Sequence, residues 1–294
     1  MKAELVVVMP EGMSADPRMM AALKAQARDM QRQLSGQTAM ARRSARDRAL
    51  MRSTCAGKLL RKVDVPLGRC GEWSVERFEV GEENARVFNM REALHGHRFI
   101  EPGIYRSLVH RPEGQTGELW MTDTPAECAD HAECVVQAAR FGGHVLIFGL
   151  GLGVVTQAMC DMPNVEHVTV VELEQGVIDL VGPFWKNRYG DKLSIVCADA
   201  FAWEPPRGQR FGVVWCDIWL HLSAGNLSEQ ARLNRRYARR SQWVGSWAQD
   251  VNRLMAREEK RQAAQFRKLF PKAAAEMEAA AAQARSAERG AKPR

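Results

Sequence analysis

Three glycines, Gly149, Gly151 and Gly153, stand at alternate positions directly after an apolar run at 145–148. Backbone without side chains can lie flat beside a bulky ligand at the end of a strand. The G-x-G-x-x-G pattern of dinucleotide binding fails in both registers, because Val154 or Thr156 takes the third glycine position. A Walker lysine is also missing, which excludes a P-loop. The simpler alternative is a tight turn from strand to helix with nothing bound.

Acidic residues follow the next three apolar runs, each at the point where a strand would end. Glu172 closes "HVTVVEL", where a carboxylate can accept two hydrogen bonds from a ribose diol. Asp199 in "CADAF" can accept from an exocyclic adenine amine, and Asp217 in "VWCDIW" reaches the same edge. Each acid alone could be a solvated strand end or a helix cap. Four successive strand ends with a glycine turn or an acid together favour a nucleoside-binding edge.

The elements that carry these residues alternate between strand and helix patterns. Their strand-like runs lack polar alternation, which is typical of a parallel sheet covered on both faces. The sequence therefore predicts an α/β fold, with a Rossmann-like parallel sheet and helices on both faces, over residues 126–226. The four strand-like runs are "HVLIFG", "HVTVVEL", "LSIVCADAF" and "FGVVWCDIW".

Three further regions flank this core. Residues 1–70 are predicted to form a basic helical extension, with two helices over 16–62 that break at Gly36. Residues 71–125 are predicted to form a small β-rich unit containing an antiparallel hairpin. A helix is expected at 126–140, ending before Gly142. After Trp219 the chain reads as helical throughout, so 227–294 is predicted to be a basic helical extension with a frayed end.

Charge is distributed unevenly along the chain. The net charge of +7 divides into +8 over residues 1–70, −10 over 71–226 and +9 over 227–294. Basic ends could bind nucleic acid through phosphates. The favoured interpretation is that they dock on the acidic middle of their own chain or of a neighbouring copy, which makes a homo-oligomer possible. An arginine-rich stretch with two aromatic residues could also grip phosphates and stack on bases, although a solvated or oligomer-facing helix is favoured: Arg232, Arg235, Arg236, Tyr237, Arg239, Arg240 and Trp243.

The cysteines and the amino terminus bear on the compartment. Seven cysteines form no C-x-x-C pair and are typical of buried thiols in a reducing environment. The apolar run before Pro10 is too short for a signal peptide, and nowhere do 18 apolar residues follow one another. We expect a cytoplasmic protein with no membrane partner.

Over residues 104–220 the chain resembles the class I S-adenosylmethionine-dependent methyltransferases, and among them the spermidine synthase-like branch. The motifs are "FGLGLG" for the methionine end, "VVELE" for the ribose, "ADAF" for the adenine and "WCDIW" for the reaction site. The resemblance implies S-adenosylmethionine as cofactor and a seven-stranded sheet whose last strand is reversed, although no later strands are found after Trp219. It implies cofactor contacts from Gly149, Leu150, Gly151, Gly153, Glu172, Leu173, Asp199 and Ala200, a catalytic Asp217, and substrate contacts from Asp123 and Trp219.

Methyl transfer fits the chain better than aminopropyl transfer. Aminopropyltransferases carry G-G-G-D-G and D-S-[ST]-D-P, whereas here Leu152 replaces the first acid, and Leu220 and His221 replace the second acid and the proline. A cationic diamine would therefore lack two of its three carboxylates. We expect methyl transfer to an unidentified acceptor, most simply a small molecule, with Asp217 positioning the nucleophile or taking its proton.

Two other functions remain open at this stage. One is an aminopropyltransferase-like polyamine synthase, and the other is a nucleoside-binding or structural protein that kept the fold without turnover. Classical DNA-base methylation is not supported, because the chain has neither an Asn/Asp-Pro-Pro-aromatic tetrad nor a Pro-Cys dipeptide. His131 and His221 lack metal-ligand spacing, so neither is assigned a role and no metal is expected. Trp215 is interpreted as a core residue, and Trp219 as either core or active-site wall.

Overall fold

The computed structural model describes residues 38–95, 97–272 and 275. Its first elements are helix α1 at 38–53 and the short helix α2 (Ala56–Leu59). The helix expected before Gly36 and the expected frayed end lie outside the described residues. No helix in the described ranges has the length and the apolar character needed to cross a membrane.

A four-stranded antiparallel sheet follows α2, with strands in the order β1-β2-β3-β4. Three of its strands coincide with the β-rich stretches seen in the sequence, and the fourth adds an edge. Helix α3 (Glu82–Leu94) was not predicted, and it lies between the second and third strands. The strands are β1 (Gly68–Cys70), β2 (Trp73–Val80), β3 (Gly103–His110) and β4 (Glu118–Thr122).

The second sheet has five parallel strands in the order β7-β6-β5-β8-β9, so the first strand of this sheet, β5, lies at its centre. This is the Rossmann-like arrangement that the sequence predicts. Its carboxyl-terminal edge brings the ends of β5, β6, β7 and β8 side by side. The strands are β5 (Gly143–Phe148), β6 (Val165–Glu172), β7 (Leu193–Cys197), β8 (Phe211–Cys216) and β9 (Ser241–Ser246).

Helices cover both faces of this sheet, which explains why its strands lack polar alternation. Val145 and Ile147 of β5 face a cluster that includes residues of α5, α6 and α7. Leu146 and Phe148 of the same strand face the other way, against Leu233 and Tyr237 of α8. The remaining helices are α4 (Pro125–Asp130), α5 (Ala132–Phe141), α6 (Val154–Cys160), α7 (Gln175–Tyr189), α8 (Asn226–Tyr237) and α9 (Gln249–Leu269).

Two predicted helical stretches differ from the structure. The prediction of uninterrupted helix after Trp219 is wrong at β9, whose sequence SQWVGS is short and half-buried and pairs with β8. A short edge strand of this kind carries a weak sequence signal. The helix expected at 126–140 is divided at His131 into α4 and α5, and it ends as expected at Gly142, whose φ is 57°.

Helix α1 docks on the rest of the chain through a buried arginine. Arg43 is 5% exposed, and its guanidinium contacts Asp47 at 3.2 Å and Asp250 at 2.7 Å. It also donates a 2.8 Å hydrogen bond to the carbonyl of Asp130. Arg46 of the same helix pairs with Glu133 at 3.3 Å. Asp130 and Glu133 belong to the acidic middle of the chain, whereas Asp47 and Asp250 lie in the two basic ends, so helix α1 contacts acidic residues in all three regions.

Candidate functional site

The predicted ligand turn joins β5 to α6 at the carboxyl-terminal edge of the sheet. Gly149, Gly151 and Gly153 have φ values of 98°, 49° and 83°, which residues with side chains rarely adopt. The N–H of Gly149 still donates to the carbonyl of Val171 at 2.9 Å, so the turn begins while the chain is paired to β6. The turn is thus held tightly against its neighbouring strand.

Close packing within the chain accounts for two of these glycines. A Cβ atom at Gly149 would collide with the backbone oxygen of Asp217, and one at Gly153 would collide with the indole of Trp185. The three atoms nearest to a Cβ at Gly151 are Sδ, Cε and Cγ of Met121, a flexible side chain. A tight turn with nothing bound therefore explains why Gly149 and Gly153 are glycines. Gly151 differs, because the side chain packed against it can move.

Glu172 links the end of β6 to the glycine turn. One carboxylate oxygen accepts the N–H of Leu150 at 2.7 Å, and the other accepts the N–H of Glu174 at 3.0 Å. The predicted ribose acid and the predicted methionine turn are therefore in direct hydrogen-bonded contact. Each carboxylate oxygen keeps a second lone pair that can accept a further hydrogen bond.

Leu173 follows the end of β6, and Asp199 and Ala200 follow the end of β7, each in a different setting. The side chain of Asp199 is exposed, and its Oδ1 accepts the N–H of Phe201 at 2.8 Å, which caps a turn. Leu173 is 61% exposed and offers an apolar surface at this edge. Ala200 is buried in the cluster that packs under α8, and Leu150 is buried in the opposite cluster. Leu150 and Ala200 therefore present backbone rather than side chain to the edge.

Asp217 follows β8 and lies beside the glycine turn. Its N–H donates to the carbonyl of Phe148 at 2.8 Å. The side chain keeps 24% of its surface exposed, yet burial raises its pKa to about 7, with Asp130 adding to the rise and Arg43 opposing it. At neutral pH this carboxyl group is therefore poised between its protonated and ionised forms, as a general base requires.

His131 stands next to Asp217, although the sequence analysis assigned it no role. Its Nε2 lies 3.8 Å from Oδ2 of Asp217, and the residue is only 4% exposed. Burial lowers the pKa of the ring to about 4, so the imidazole is neutral at neutral pH. The two residues are far apart in the sequence and no spacing joins them, so only the fold could reveal the contact.

The two predicted substrate residues have other partners. Asp123 is 1% exposed, and its oxygens accept the N–H groups of Arg106 at 2.7 Å and Val63 at 3.1 Å. This carboxylate ties the antiparallel sheet to the segment after α2, and its contact with substrate stays a prediction. Trp219 is partly buried, and its indole donates to Glu229 at 2.8 Å. Trp215 is a core residue, as interpreted, at 3% exposure.

One arginine of the arginine-rich stretch is used inside the chain, while Arg232, Arg235 and Arg239 are exposed. Arg236 donates to the carbonyls of Phe201 and Trp203 and pairs with Glu204 at 2.6 Å, which anchors the loop after β7. Tyr237 is fully buried, and Trp243 stacks on Trp215 with ring centroids 6.1 Å apart. Tyr237 therefore has no exposed face that could stack on a base.

Comparison with known proteins gives distant likenesses only. No protein-family model and no curated protein matches the chain. Among solved structures, it is similar to the CcbJ methyltransferase from Streptomyces caelestis, at 20% identity over 37% of this chain and 44% of that one, with a TM-score of 0.31. It is also similar to an S-adenosylmethionine-dependent methyltransferase from Clostridium acetobutylicum, at 17% identity over 37% and 42%, with a TM-score of 0.29.

A third similar structure is the [4+2]-cyclase SpnF, at 21% identity over 41% of this chain and 45% of that one, with a TM-score of 0.32. The chain thus spans less than half the length of each of these three proteins. At these identities and scores, the function has to be argued from the residues of this chain.

Proposed function

We propose that this protein is an S-adenosylmethionine-dependent methyltransferase that acts on a small acceptor. The observation that carries the proposal is the hydrogen bond between the Glu172 carboxylate and the N–H of Leu150. It joins the acid expected to hold a ribose to the turn expected to hold the methionine end. Asp217, the acid expected at the reaction site, packs its own backbone on the same turn.

The residues at this edge fit the proposed ligand. The free lone pairs of Glu172 can accept both ribose hydroxyls, and hydrogen bonds to a charged group contribute about 1.5 to 3 kcal/mol each. The exposed Leu173 offers an apolar face, and Asp199 has a second carboxylate oxygen for an amine. The thioether of Met121, which lies 3.0 Å from the N–H of Leu152, can swing aside to uncover Gly151.

Asp217 has the properties of a proton acceptor for the transfer. When bound, S-adenosylmethionine would supply an electrophilic methyl group, with a neutral sulfide as its leaving group. Asp217 would take the acceptor's proton on a carboxylate oxygen and so leave the acceptor a lone pair for that methyl group. A pKa near 7 places this carboxyl group close to the optimum for general-base catalysis at neutral pH.

A cavity lies along the edge strand β9, and its lining does not include the glycine turn, Glu172, Asp199 or Asp217. It measures about 410 Å³, which lies within the range of small-molecule sites. Ser246, which pairs in register with Cys216 immediately before Asp217, lines it. Cations, anions and two indole rings complete its wall: Arg43, Arg46, Arg253, Glu133, Asp250, Trp215 and Trp243.

Aminopropyl transfer is less favoured by the same structure. Aminopropyltransferases place an acid in the glycine turn, where it would hold the amine of their cofactor. Here that position is Leu152, which is fully buried in the core. An acid at this place would be desolvated without a partner, so the turn is not built to receive that amine.

Isothermal calorimetry tests the proposal. We expect the protein to bind S-adenosylmethionine and S-adenosylhomocysteine, and to bind decarboxylated S-adenosylmethionine less tightly. Glu172→Ala should weaken binding by at least about tenfold, or about 1.4 kcal/mol. Glu174→Ala is the matched control, because only the backbone of Glu174 contacts Glu172.

Three results would contradict the proposal in different ways. Undiminished binding by the Glu172 variant would remove the ribose assignment. Preference for the decarboxylated ligand would favour aminopropyl transfer. Failure to bind any of the three ligands would favour a protein that keeps the fold without this chemistry.

A further inference from the structure

We infer that His131 is a positioning residue for Asp217, donating from its Nε2–H toward the carboxylate so that Asp217 is held ready to take a proton. This inference rests on the proposed role of Asp217 as proton acceptor. It concerns a residue whose sequence position gave no sign of function.

The fold fixes the His131 ring in place. The residue lies at the break between α4 and α5, and its carbonyl accepts a hydrogen bond from the thiol of Cys134 at 3.1 Å. Its ring meets the indole of Trp215 edge-on, with centroids 6.0 Å apart and planes at 88°. A ring with this backbone anchor and this aromatic contact has little freedom to turn away from Asp217.

The surroundings of the ring select one tautomer. The Nδ1 atom is buried and has no hydrogen-bond partner among the residues that the structure describes. Nδ1 is thus unpaired in either tautomer, and the carboxylate opposite Nε2 decides between them, because a bare Nε2 would turn its lone pair toward Oδ2. The proton of the neutral ring therefore belongs on Nε2, the atom that faces Oδ2 of Asp217.

The separation of 3.8 Å between Nε2 and Oδ2 makes this an electrostatic contact in the structure as it stands. A hydrogen bond of this type needs about 2.7 to 3.2 Å. A movement of the Asp217 carboxylate by less than about 1 Å toward the ring closes that gap. The carboxylate is partly exposed and follows the end of β8, so it can make this movement while the buried ring stays fixed.

Of the two residues His131 and Asp217, the carboxyl group of Asp217 is the one that titrates near pH 7. Burial lowers the pKa of His131 and raises that of Asp217, so a neutral ring faces a carboxyl group with a pKa of about 7. An N–H donor stabilises the ionised carboxylate and so keeps its pKa from rising further. The other groups that act on the pair are Arg43 of α1, Glu127 and Asp130 of α4, Cys134 of α5, Glu172 of β6 and Arg98.

Two substitutions at His131 distinguish a hydrogen-bond donor from a side chain that only packs. Gln retains an N–H near the position of Nε2, whereas Phe retains the ring shape and removes the donor. We expect the pKa of Asp217, followed by NMR of carboxyl-labelled aspartate and assigned with Asp217→Asn, to rise by about one unit in His131→Phe. It should stay near the parent value in His131→Gln. An unchanged pKa in the Phe variant, or equal shifts in both, would overturn the inference.

A second measurement needs no folded variant. Long-range ¹H–¹⁵N spectra of the parent protein report which ring nitrogen of His131 carries the proton, and we expect Nε2. A proton on Nδ1 would overturn the inference. Calorimetry with S-adenosylmethionine separates this result from the proposed function: both His131 variants should bind it like the parent, and a parent that does not bind would refute the function without moving the tautomer.

Discussion

A glycine turn flanks the central strand β5 at each end, at Gly142 before the strand and at Gly149 after it. We call these two turns corners, and they differ in the groups that surround them. At the amino-terminal end, Gly142 packs on the backbone of Asn164, whose neutral amide donates to the carbonyls of Ala138 and Ala139. At the carboxyl-terminal end, Gly149 packs on the backbone of Asp217. There a carboxylate, that of Glu172, accepts from the turn.

This difference separates packing from function. Close backbone approach explains Gly142 and Gly149 equally well, so a glycine corner by itself does not indicate a ligand. Two features distinguish the second corner: carboxyl groups beside the turn, those of Glu172 and Asp217, and Gly151, where the atoms nearest to an added Cβ belong to the flexible side chain of Met121. The ligand proposal depends on those two features.

The largest effect should come from filling the two corners. Gly149→Ala and Gly142→Ala each place a methyl group against a backbone oxygen at positive φ, so each should lower the free energy of unfolding by about 4 kcal/mol. Urea denaturation measures both. If only the Gly149 variant lost stability, the two corners would not share a packing role.

The next effect concerns the charged corner and rising pH. The pKa of Asp217 is about 7 in the folded protein, above its ordinary value of 3.8, so the folded state holds the proton more tightly than the unfolded state. Stability is therefore lost as pH rises from about 4 to 7. Asp217→Asn should raise the free energy of unfolding at pH 8 by about 3 kcal/mol, allowing for partial exposure.

Urea titrations of this variant at pH 4 and pH 8 supply the control. Most of the stabilisation should vanish near pH 4, where the folded parent already holds the proton. Equal stabilisation at both pH values would show that Asp217 does not have a raised pKa.

The neutral corner should respond to falling pH instead. Burial lowers the pKa of His144, near the start of β5, to about 4, and its ring contacts Thr169 at 2.8 Å and Gln209 at 2.7 Å. Since the unfolded state binds the proton more readily, stability falls as pH drops from 6.5 to 4. His144→Gln should reduce the loss in free energy of unfolding between pH 6.5 and 4 by about 2 kcal/mol. The lowered pKa of His131 contributes a further part of that loss. An unchanged acid slope in urea titrations would contradict this.

The smallest effect on stability distinguishes Gly151 from its neighbours. Gly151→Ala adds a methyl group against a thioether that can move. The free energy of unfolding should therefore fall by only about 1 kcal/mol. Binding of S-adenosylmethionine should nevertheless fall about tenfold, because the methyl group would occupy the ligand surface. Full binding by a stable Gly151 variant would place the ligand elsewhere.

The sequence predicts the parallel sheet well because both of its faces are covered. Val145 and Leu146 point to opposite sides and both are fully buried, so the run stays apolar throughout. Strand β9 is not predicted because only two of its residues, Gly245 and Ser246, are buried, so its sequence has no apolar run. Helix α3 escapes because it buries only Ala85, so it has no apolar stripe turned inward.

The candidate site shows a similar division. An acid after an apolar strand is a good guide to the sheet edge, as Glu172 and Asp217 illustrate. Asp123 came from the family resemblance alone, and the structure gives its carboxylate two backbone N–H partners within the chain. The contact of His131 with Asp217 depends on the packing of α5 over β8 and β9, which no local pattern records.

The most direct test of the ligand site is a crystal structure of the protein with S-adenosylhomocysteine. Our account predicts the ribose on Glu172, and the thioether of Met121 moved away from Gly151. A ligand bound away from the 149–153 turn, with Met121 still covering Gly151, would contradict it.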